Sequence, residues 1–238
     1  VVGTGPGSVA HMSNRAVKVI EQADCIAGYT TYVDLIKELV EDKKIISTGM
    51  MKEVERVEGA IEMALTGVSC ALVSGGDPGI YAMAGLVFEI CEQKNIKLFR
   101  TLEGQDFSPT EKYLELEVVP GIPALAAGAA LVGAPLTHDF AAISLSDLLT
   151  EWEKIETRLT CAAMADFVIV LYNPKSKKRD WQLKRAQELI LEHRKGSTPV
   201  GIVTGAMREN QAISFTRLDQ LDRADVGMQT VLFIGASA

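Results

Sequence analysis

An α/β fold is what this sequence predicts, on three observations. Apolar runs of strand length alternate with segments of helical period along most of the 238 residues, three of those runs open straight into loops bearing glycine and proline, and 47% of the residues are hydrophobic. The alternation is that of parallel strands covered by helices, and the apolar share suffices for one large core or two small ones. The expected architecture is two α/β domains, residues 1–133 and 134–238, with a mostly parallel sheet in the first and a mixed sheet in the second.

In the first half, Val1-Val2 reads as the end of a strand. Ser13 caps a helix whose apolar positions Ala16, Val17, Val19, Ile20 and Ala23 run to Asp24. Residues 25–27 make the next short strand, 53–65 an amphipathic helix, 70–74 a buried strand and 82–93 the helix after it. A strand over 114–119 ends in Pro120-Gly-Ile-Pro-Ala124, and an Ala-rich helix covers 123–132. Residues 99–113 lack periodicity and read as a surface excursion. Gly133-Ala-Pro-Leu136 breaks the Ala-rich helix and is the expected hinge between domains. The second half repeats the alternation: strand 141–144, helix within 148–165, strand 167–172, charged amphipathic helix 180–193 and strand 199–204. The tail runs 212–216 and 230–234 are close enough in sequence to pair antiparallel on one edge, which would make that sheet mixed.

Composition closes off several classes of function. No uninterrupted apolar stretch approaches the roughly 18 to 20 residues needed to cross a bilayer, so no membrane span is expected. The chain opens on strand-like sequence with no charged and apolar leader, so no targeting segment is expected either. Cys25, Cys70, Cys91 and Cys161 are scattered, and with only three histidines they suit neither a zinc site nor a disulfide framework, which points to the reducing cytosol. A net charge of −7 opposes nonspecific binding to nucleic acid. An anionic ligand would need a local basic patch.

The most informative segment is Ser74-Gly-Gly-Asp-Pro-Gly-Ile-Tyr81, which follows a buried strand, the place where an open α/β sheet binds its ligand. Gly75 and Gly76 let a small molecule approach the backbone, Pro78 stiffens the turn, and Asp77 sets a carboxylate among them. A fixed negative charge would repel a phosphate, so the loop suits a ligand carrying hydroxyls or positive charge. The alternative is a structural strand-to-helix turn. Gly3-Thr-Gly-Pro-Gly7 invites a dinucleotide reading with Asp24 as the ribose acid, but Ser8 stands where the third glycine belongs and Pro6 lacks an N–H that a pyrophosphate would use.

Lys175, Lys177, Lys178, Arg179, Lys184 and Arg185 crowd after the strand 167–172, opposed by Asp180 alone; they form either a solvated face or a patch meeting a polyanionic substrate, with Arg208 a further candidate. His138 and Asp139 follow the hinge and are candidates for acid or base chemistry, or simply hydrogen-bonding linker residues. Ser144 and Ser146, near Asp147, have no nucleophile elbow around them, and helix capping by Ser146 or Asp147 is the plainer reading.

Taken together, Val2-Gly-Thr-Gly-Pro-Gly7, Ser74-Gly-Gly-Asp-Pro-Gly-Ile-Tyr81 and Val118-Val-Pro-Gly-Ile-Pro-Ala124 resemble, in the same order, motifs of the tetrapyrrole methyltransferases of cobalamin and siroheme synthesis. Pro135-Leu-Thr-His-Asp-Phe140, Ile143-Ser-Leu-Ser-Asp-Leu-Leu149 and Leu171-Tyr-Asn-Pro-Lys-Ser176 are most similar to the members that methylate C-17 of a precorrin-3 ring. The resemblance covers essentially the whole chain. It implies two α/β domains with S-adenosylmethionine in the cleft between them, a tetrapyrrole substrate and commonly a homodimer. By position it implies that Pro6 lies near the substrate, that Gly75, Gly76, Asp77 and Ile80 line the methyl donor, and that Pro123, Ala124, Tyr172, Asn173 and Ala206 also touch it. The acetate and propionate groups of such a substrate would give Lys175, Lys178, Arg179 and Arg208 their purpose. Ring contraction would need proton transfers, for which His138 and Asp139 are the candidates. No metal site is implied. Residues 99–115 have no counterpart in relatives of this kind and look like an insertion. The rivals are a family member acting at another ring carbon, a nicotinamide-dependent oxidoreductase using the Gly3-to-Gly7 loop, and a noncatalytic binding module.

Overall fold

The protein is described from a computed structural model, over residues 1–101, 103, 110–176 and 179–237. Its packing divides the chain into two compact units, Val1–Pro123 and Ala124–Ala238.

In the first unit, β1 (Val2–Gly3), α1 (Asn14–Gln22), β2 (Cys25–Tyr29), α2 (Thr30–Asp34), β3 (Lys44–Thr48), α3 (Glu53–Leu65), β4 (Cys70–Ser74), α4 (Ala84–Gln93), β5 (Ile96–Phe99) and β6 (Lys112–Glu115) follow in turn. Four strands form a parallel sheet in the order β1-β4-β2-β3. Alternate residues of the central strands serve opposite faces: Ala27 and Leu72 pack with Val57, Ile61, Val87 and Ile90 of α3 and α4, while Ile26, Ala71 and Val73 pack with Ala16 and Ile20 of α1. Ser13 caps α1 as expected, its hydroxyl accepting from the Ala16 N–H. Strand β3 escaped the sequence reading because it lies on an edge and is largely exposed, so its Lys-Ile-Ile-Ser-Thr run lacks the apolar content of a buried strand.

The strand expected over 114–119 is a second correction. Regular pairing stops at Glu115, and Val119 makes only an isolated parallel bridge to Val2 before Pro120. Strand β6 lies inside the apparent insertion 99–115 and pairs in parallel with β5; residues 102 and 104–109 of that segment lie outside the described residues.

The second unit runs α5 (Ala124–Leu131), β7 (Phe140–Ser144), α6 (Trp152–Met164), β8 (Val168–Tyr172), α7 (Gln182–Leu191), β9 (Pro199–Thr204), β10 (Ala212–Arg217) and β11 (Thr230–Ile234). Its sheet has the order β10-β9-β11-β8-β7 and is mixed. The two tail strands do not pair with each other. Instead β11 sits between β9 and β8, antiparallel to both, and β10 alone takes the edge. Burial explains the difference: every residue of Thr-Val-Leu-Phe-Ile is buried, as a central strand covered on both faces requires, whereas most of β10 is exposed. Helix α5 lies on β11, where Gly128 is obligatory because a Cβ there would come within 2.9 Å of the Phe233 ring and the Val231 side chain. Among the described residues no helix is long and apolar enough to cross a membrane.

Candidate functional site

All four strands of the first sheet run the same way, so their following loops share one edge. There the three glycine-bearing segments are joined by backbone. Gly5 and Gly76 exchange N–H···O=C bonds of 3.2 and 2.7 Å, the Thr4 N–H donates to the Ser74 carbonyl at 2.9 Å, and the Gly3 N–H donates to the Val119 carbonyl at 2.9 Å. A Cβ on Gly121 would lie 2.2 Å from the Gly76 carbonyl oxygen, and one on Gly3 would lie 2.7 Å from both that oxygen and the Gly121 nitrogen. No side chain fits between the loops.

Asp77 ties this junction together. One carboxylate oxygen accepts from the Gly79 N–H at 2.8 Å and the other from the Gly121 N–H at 3.2 Å, so one side chain spans two of the three loops. The carboxylate is half-buried, and each oxygen retains a lone pair for a further donor. Residues 74–81 and 120–124 contain no lysine or arginine, which leaves Asp77 as the only charge in those two segments. Ile80 is half-buried, with its N–H on the Asp77 carbonyl, and Pro6 is buried. Gly75 proves to be glycine for a reason the sequence hid: the Tyr32 ring stands where its Cβ would be, 2.5 Å away.

The same edge holds residues that sequence reasoning missed. Arg56 of α3 is 3% exposed; its Nε donates to the Thr48 Oγ1 at 2.9 Å, its guanidinium reaches the Gly49 carbonyl at 2.9 Å, and it lies over the Tyr29 ring. It thereby fixes the loop after β3. An arginine among Val57, Ala60 and Ile61 on a buried helix face was the available signal.

In the second unit the corresponding edge follows β7, β8 and β9, which are mutually parallel. The Tyr172 hydroxyl accepts from the Leu125 N–H at 2.8 Å, bringing the end of β8 to the start of α5 and so to Ala124. Tyr172 packs in one cluster with Ala206. Asn173 adopts a left-handed backbone, φ 51°, and its side-chain amide donates to the Ser144 Oγ at 3.0 Å. Met207 (φ 59°) in the loop after β9, and Tyr81 (φ 51°) in the loop after β4, share that conformation. Each costs about 1–3 kcal/mol and is kept where surrounding structure imposes it. With Met51 (φ 65°) after β3, four such residues stand in loops that follow strands, while Asn95 and Asp166 share the conformation just beyond helices α4 and α6.

Arg179 departs from its expected role as a surface cation. It is 6% exposed and turned inward, with Nη2 donating to the Asn173 carbonyl at 2.9 Å. Burial lowers its pKa, with Asp147 acting in the opposite sense. Its visible role is to hold Asn173. We expect Arg179→Ala to destabilise the second unit by about 2 kcal/mol through the unpaired carbonyl and lost packing, measured by urea denaturation. Lys175 is exposed, Arg208 half-buried, and Lys178 lies outside the described residues. Arg185 is engaged by Glu156 at 2.7 Å, which further thins the expected patch.

His138 and Asp139 are exposed and stand before β7, at the amino end of the strand, where the Asp139 carbonyl accepts from the Val168 N–H. A strand of five residues separates them from Ser144 and Asn173, roughly 17 Å. The structure does not bring them to the Asn173 edge. Ser146 and Asp147 do not cap the next helix either: α6 begins at Trp152 with Glu151 before it, Ser144 Oγ accepts from the Ser146 N–H, and Asp147 accepts from the Gln182 amide at 3.0 Å. These bonds anchor the loop between β7 and α6. Among the described residues no cluster of three or more His, Cys, Asp or Glu is placed to hold a metal ion.

Residues 1–222 match the family model of the Tetrapyrrole (Corrin/Porphyrin) Methylases. A cobalt-factor III methyltransferase from Priestia megaterium is 44% identical over 238 residues, a match taking in 100% of this chain and 42% of that protein. The chain thus spans less than half the length of that relative. A probable cobalt-factor III C(17)-methyltransferase from Salmonella typhimurium is 42% identical over 235 residues, 99% of this chain and 91% of that one. Among solved structures, the crystal structure of the methyltransferase CobJ is similar with a TM-score of 0.85 and 34% identity, over 100% of this chain and 93% of its own.

Proposed function

The chain belongs to the tetrapyrrole methylases, and from that membership we propose that it transfers a methyl group from S-adenosylmethionine to C-17 of precorrin-3B or cobalt-factor III, with ring contraction. The observation that carries the proposal is the Gly5–Gly76–Gly121 junction closed by Asp77. Its chemistry fits the donor. A half-buried carboxylate in loops without a cationic side chain accepts ribose hydroxyls or an ammonium group and favours a nearby sulfonium, while it would repel a phosphate.

We assign donor contact to Gly75, Gly76, Asp77, Ile80 and Pro123 in the first unit and to Ala124, Tyr172, Asn173 and Ala206 in the second. Pro6, Lys175 and Arg208 are assigned to the substrate. S-adenosylmethionine supplies the electrophilic methyl when bound. An electron-rich pyrrole carbon is itself the nucleophile, so the residues above have to orient rather than activate, holding acceptor carbon, methyl and sulfur in line. Arg179 acts on this alignment through Asn173, and Tyr172 acts through the first turn of α5. We place the reaction in the cytosol, where the four cysteines, all free thiols, stay reduced, and we assign the chain to a homodimer.

Calorimetry with S-adenosylhomocysteine tests the donor assignment. We expect saturable one-to-one binding, and none for NAD under the same conditions. Saturable NAD binding without S-adenosylhomocysteine binding would instead establish the nicotinamide reading of the Gly3-to-Gly7 loop.

A further inference from the structure

Strand β10 ends the second unit's sheet and is paired on one side only among the described residues. Six consecutive residues match β9, from Ala212 opposite Thr204 to Arg217 opposite Pro199, with no bulge to bend the strand away. Ile213 and Phe215 share one face and are 41% and 67% exposed, although Val203, the β9 residue opposite Ile213, is fully buried on that face. A straight apolar edge of this kind templates pairing with another strand, and proteins usually blunt such edges with lysine, proline or short length. Of the other edge strands, β3 opens with Lys44, β6 opens with Lys112 and β1 is two residues long, while β7, the far edge of the same sheet, lacks charge and proline but exposes only Phe140 of its five residues. Strand β10 has no proline, and its single charge, Arg217 at the closing end, is neutralised by Asp219 at 2.6 Å, which leaves residues 212–216 uncharged.

We propose that β10 is the seam of a homodimer, pairing antiparallel with β10 of a second copy about a twofold axis through Ser214. The strand is chemically self-complementary about that residue. Ile213 of each copy faces Phe215 of the other and Ala212 faces Thr216, so apolar meets aromatic on either side of the axis, while Gln211 and Arg217 at the two ends are held within their own chain by the Met207 N–H and by Asp219. Opposite residues in this register keep their side chains on the same face of the joined sheet, as antiparallel pairing demands. Centring the axis one residue later would set Ile213 against Arg217. Residues 211–217 contain no acid, so two copies of a chain with net charge −7 meet there without carboxylates in opposition. The seam rests on the assignment of a homodimer above and is independent of the methyl-transfer chemistry.

Sedimentation over a concentration series tests it, on wild type and on Ser214→Pro and Phe215→Lys, with circular dichroism and S-adenosylhomocysteine affinity measured alongside. Wild type is expected to dimerise at micromolar concentration. Each variant is expected to raise the dissociation constant roughly thirtyfold or more, the scale of losing the cross-strand pairs and their backbone bonds, while still binding S-adenosylhomocysteine. Should a variant fold poorly, Ser214→Cys on a Cys161→Ser background replaces it. Its two thiols lie on the axis at about 4.5–5.5 Å between Cα atoms, within disulfide reach. Oxidised glutathione takes up two electrons and two protons, leaving two reduced glutathiones and one S–S bond between copies. A covalent dimer supports the seam. A wild type that stays monomeric, or a dimer that both substitutions leave intact and Ser214→Cys fails to cross-link, overturns it. A wild type that dimerises through a seam the substitutions weaken but does not bind S-adenosylhomocysteine counts against the donor site and leaves the seam standing.

Discussion

Gly121→Ala should abolish S-adenosylhomocysteine binding and lower the melting temperature by about 10 °C, the consequence of roughly 3 kcal/mol or more of strain. The added Cβ would lie 2.2 Å from the Gly76 carbonyl oxygen and 2.9 Å from the Gly3 backbone, and neither neighbour is a side chain that can rotate aside. Relief requires that the three loops separate, which breaks the Gly5–Gly76 bridge and draws the Gly121 N–H away from Asp77. Differential scanning fluorimetry and calorimetry read the two effects. Gly85→Ala is the matched control, because nothing lies within 4 Å of its added Cβ and its site is helical; it should gain about 0.5–1 kcal/mol. Equal behaviour of the two variants would show that the loops do not meet as described.

Asp77→Ala should weaken S-adenosylhomocysteine binding about 10- to 100-fold, the scale of one charge-assisted hydrogen bond. The same change removes the acceptor for the Gly79 and Gly121 N–H groups, so some of the loss comes through loop geometry. Asp77→Asn separates the two contributions. Its single carbonyl satisfies one N–H and turns an NH2 toward the other, so the loop is perturbed much as in Ala while an acceptor remains. If charge toward the ligand matters, Asn binds nearly as poorly as Ala, and the affinity loss is larger for S-adenosylmethionine than for its uncharged-sulfur product. Equal losses for the two ligands would place the influence of Asp77 on the ribose or ammonium group that both carry, or on loop geometry, and not at the sulfonium.

How much of this was legible in the sequence depends on burial. Strands covered on both faces, such as residues 70–74 and 230–234, announce themselves as apolar runs, and helices such as Glu53–Leu65 by their period. Edge strand β3 shows no such contrast. Strand order was not legible either, because β11 owes its central place to packing on both faces rather than to its nearness to β10 in sequence. The glycine loops were readable as a site, but their internal logic was not. Gly75 is set by Tyr32 and Gly121 by Gly76, contacts between residues 43 and 45 positions apart that no local pattern encodes. The left-handed Tyr81, Asn173 and Met207 left no trace in sequence, since none is glycine. Charge counting misled at Arg179 and Arg185, where a basic run that looks solvated contains one buried guanidinium and one held by Glu156.

The position of the new methyl group tests the central claim most directly. The protein is incubated with S-adenosylmethionine carrying a 13C-labelled methyl and with precorrin-3B or cobalt-factor III, and the product is examined by mass spectrometry and NMR. The account predicts one added methyl, located at C-17 of a contracted ring. A labelled methyl on any other ring carbon, or no transfer from a protein that binds S-adenosylhomocysteine, would contradict it.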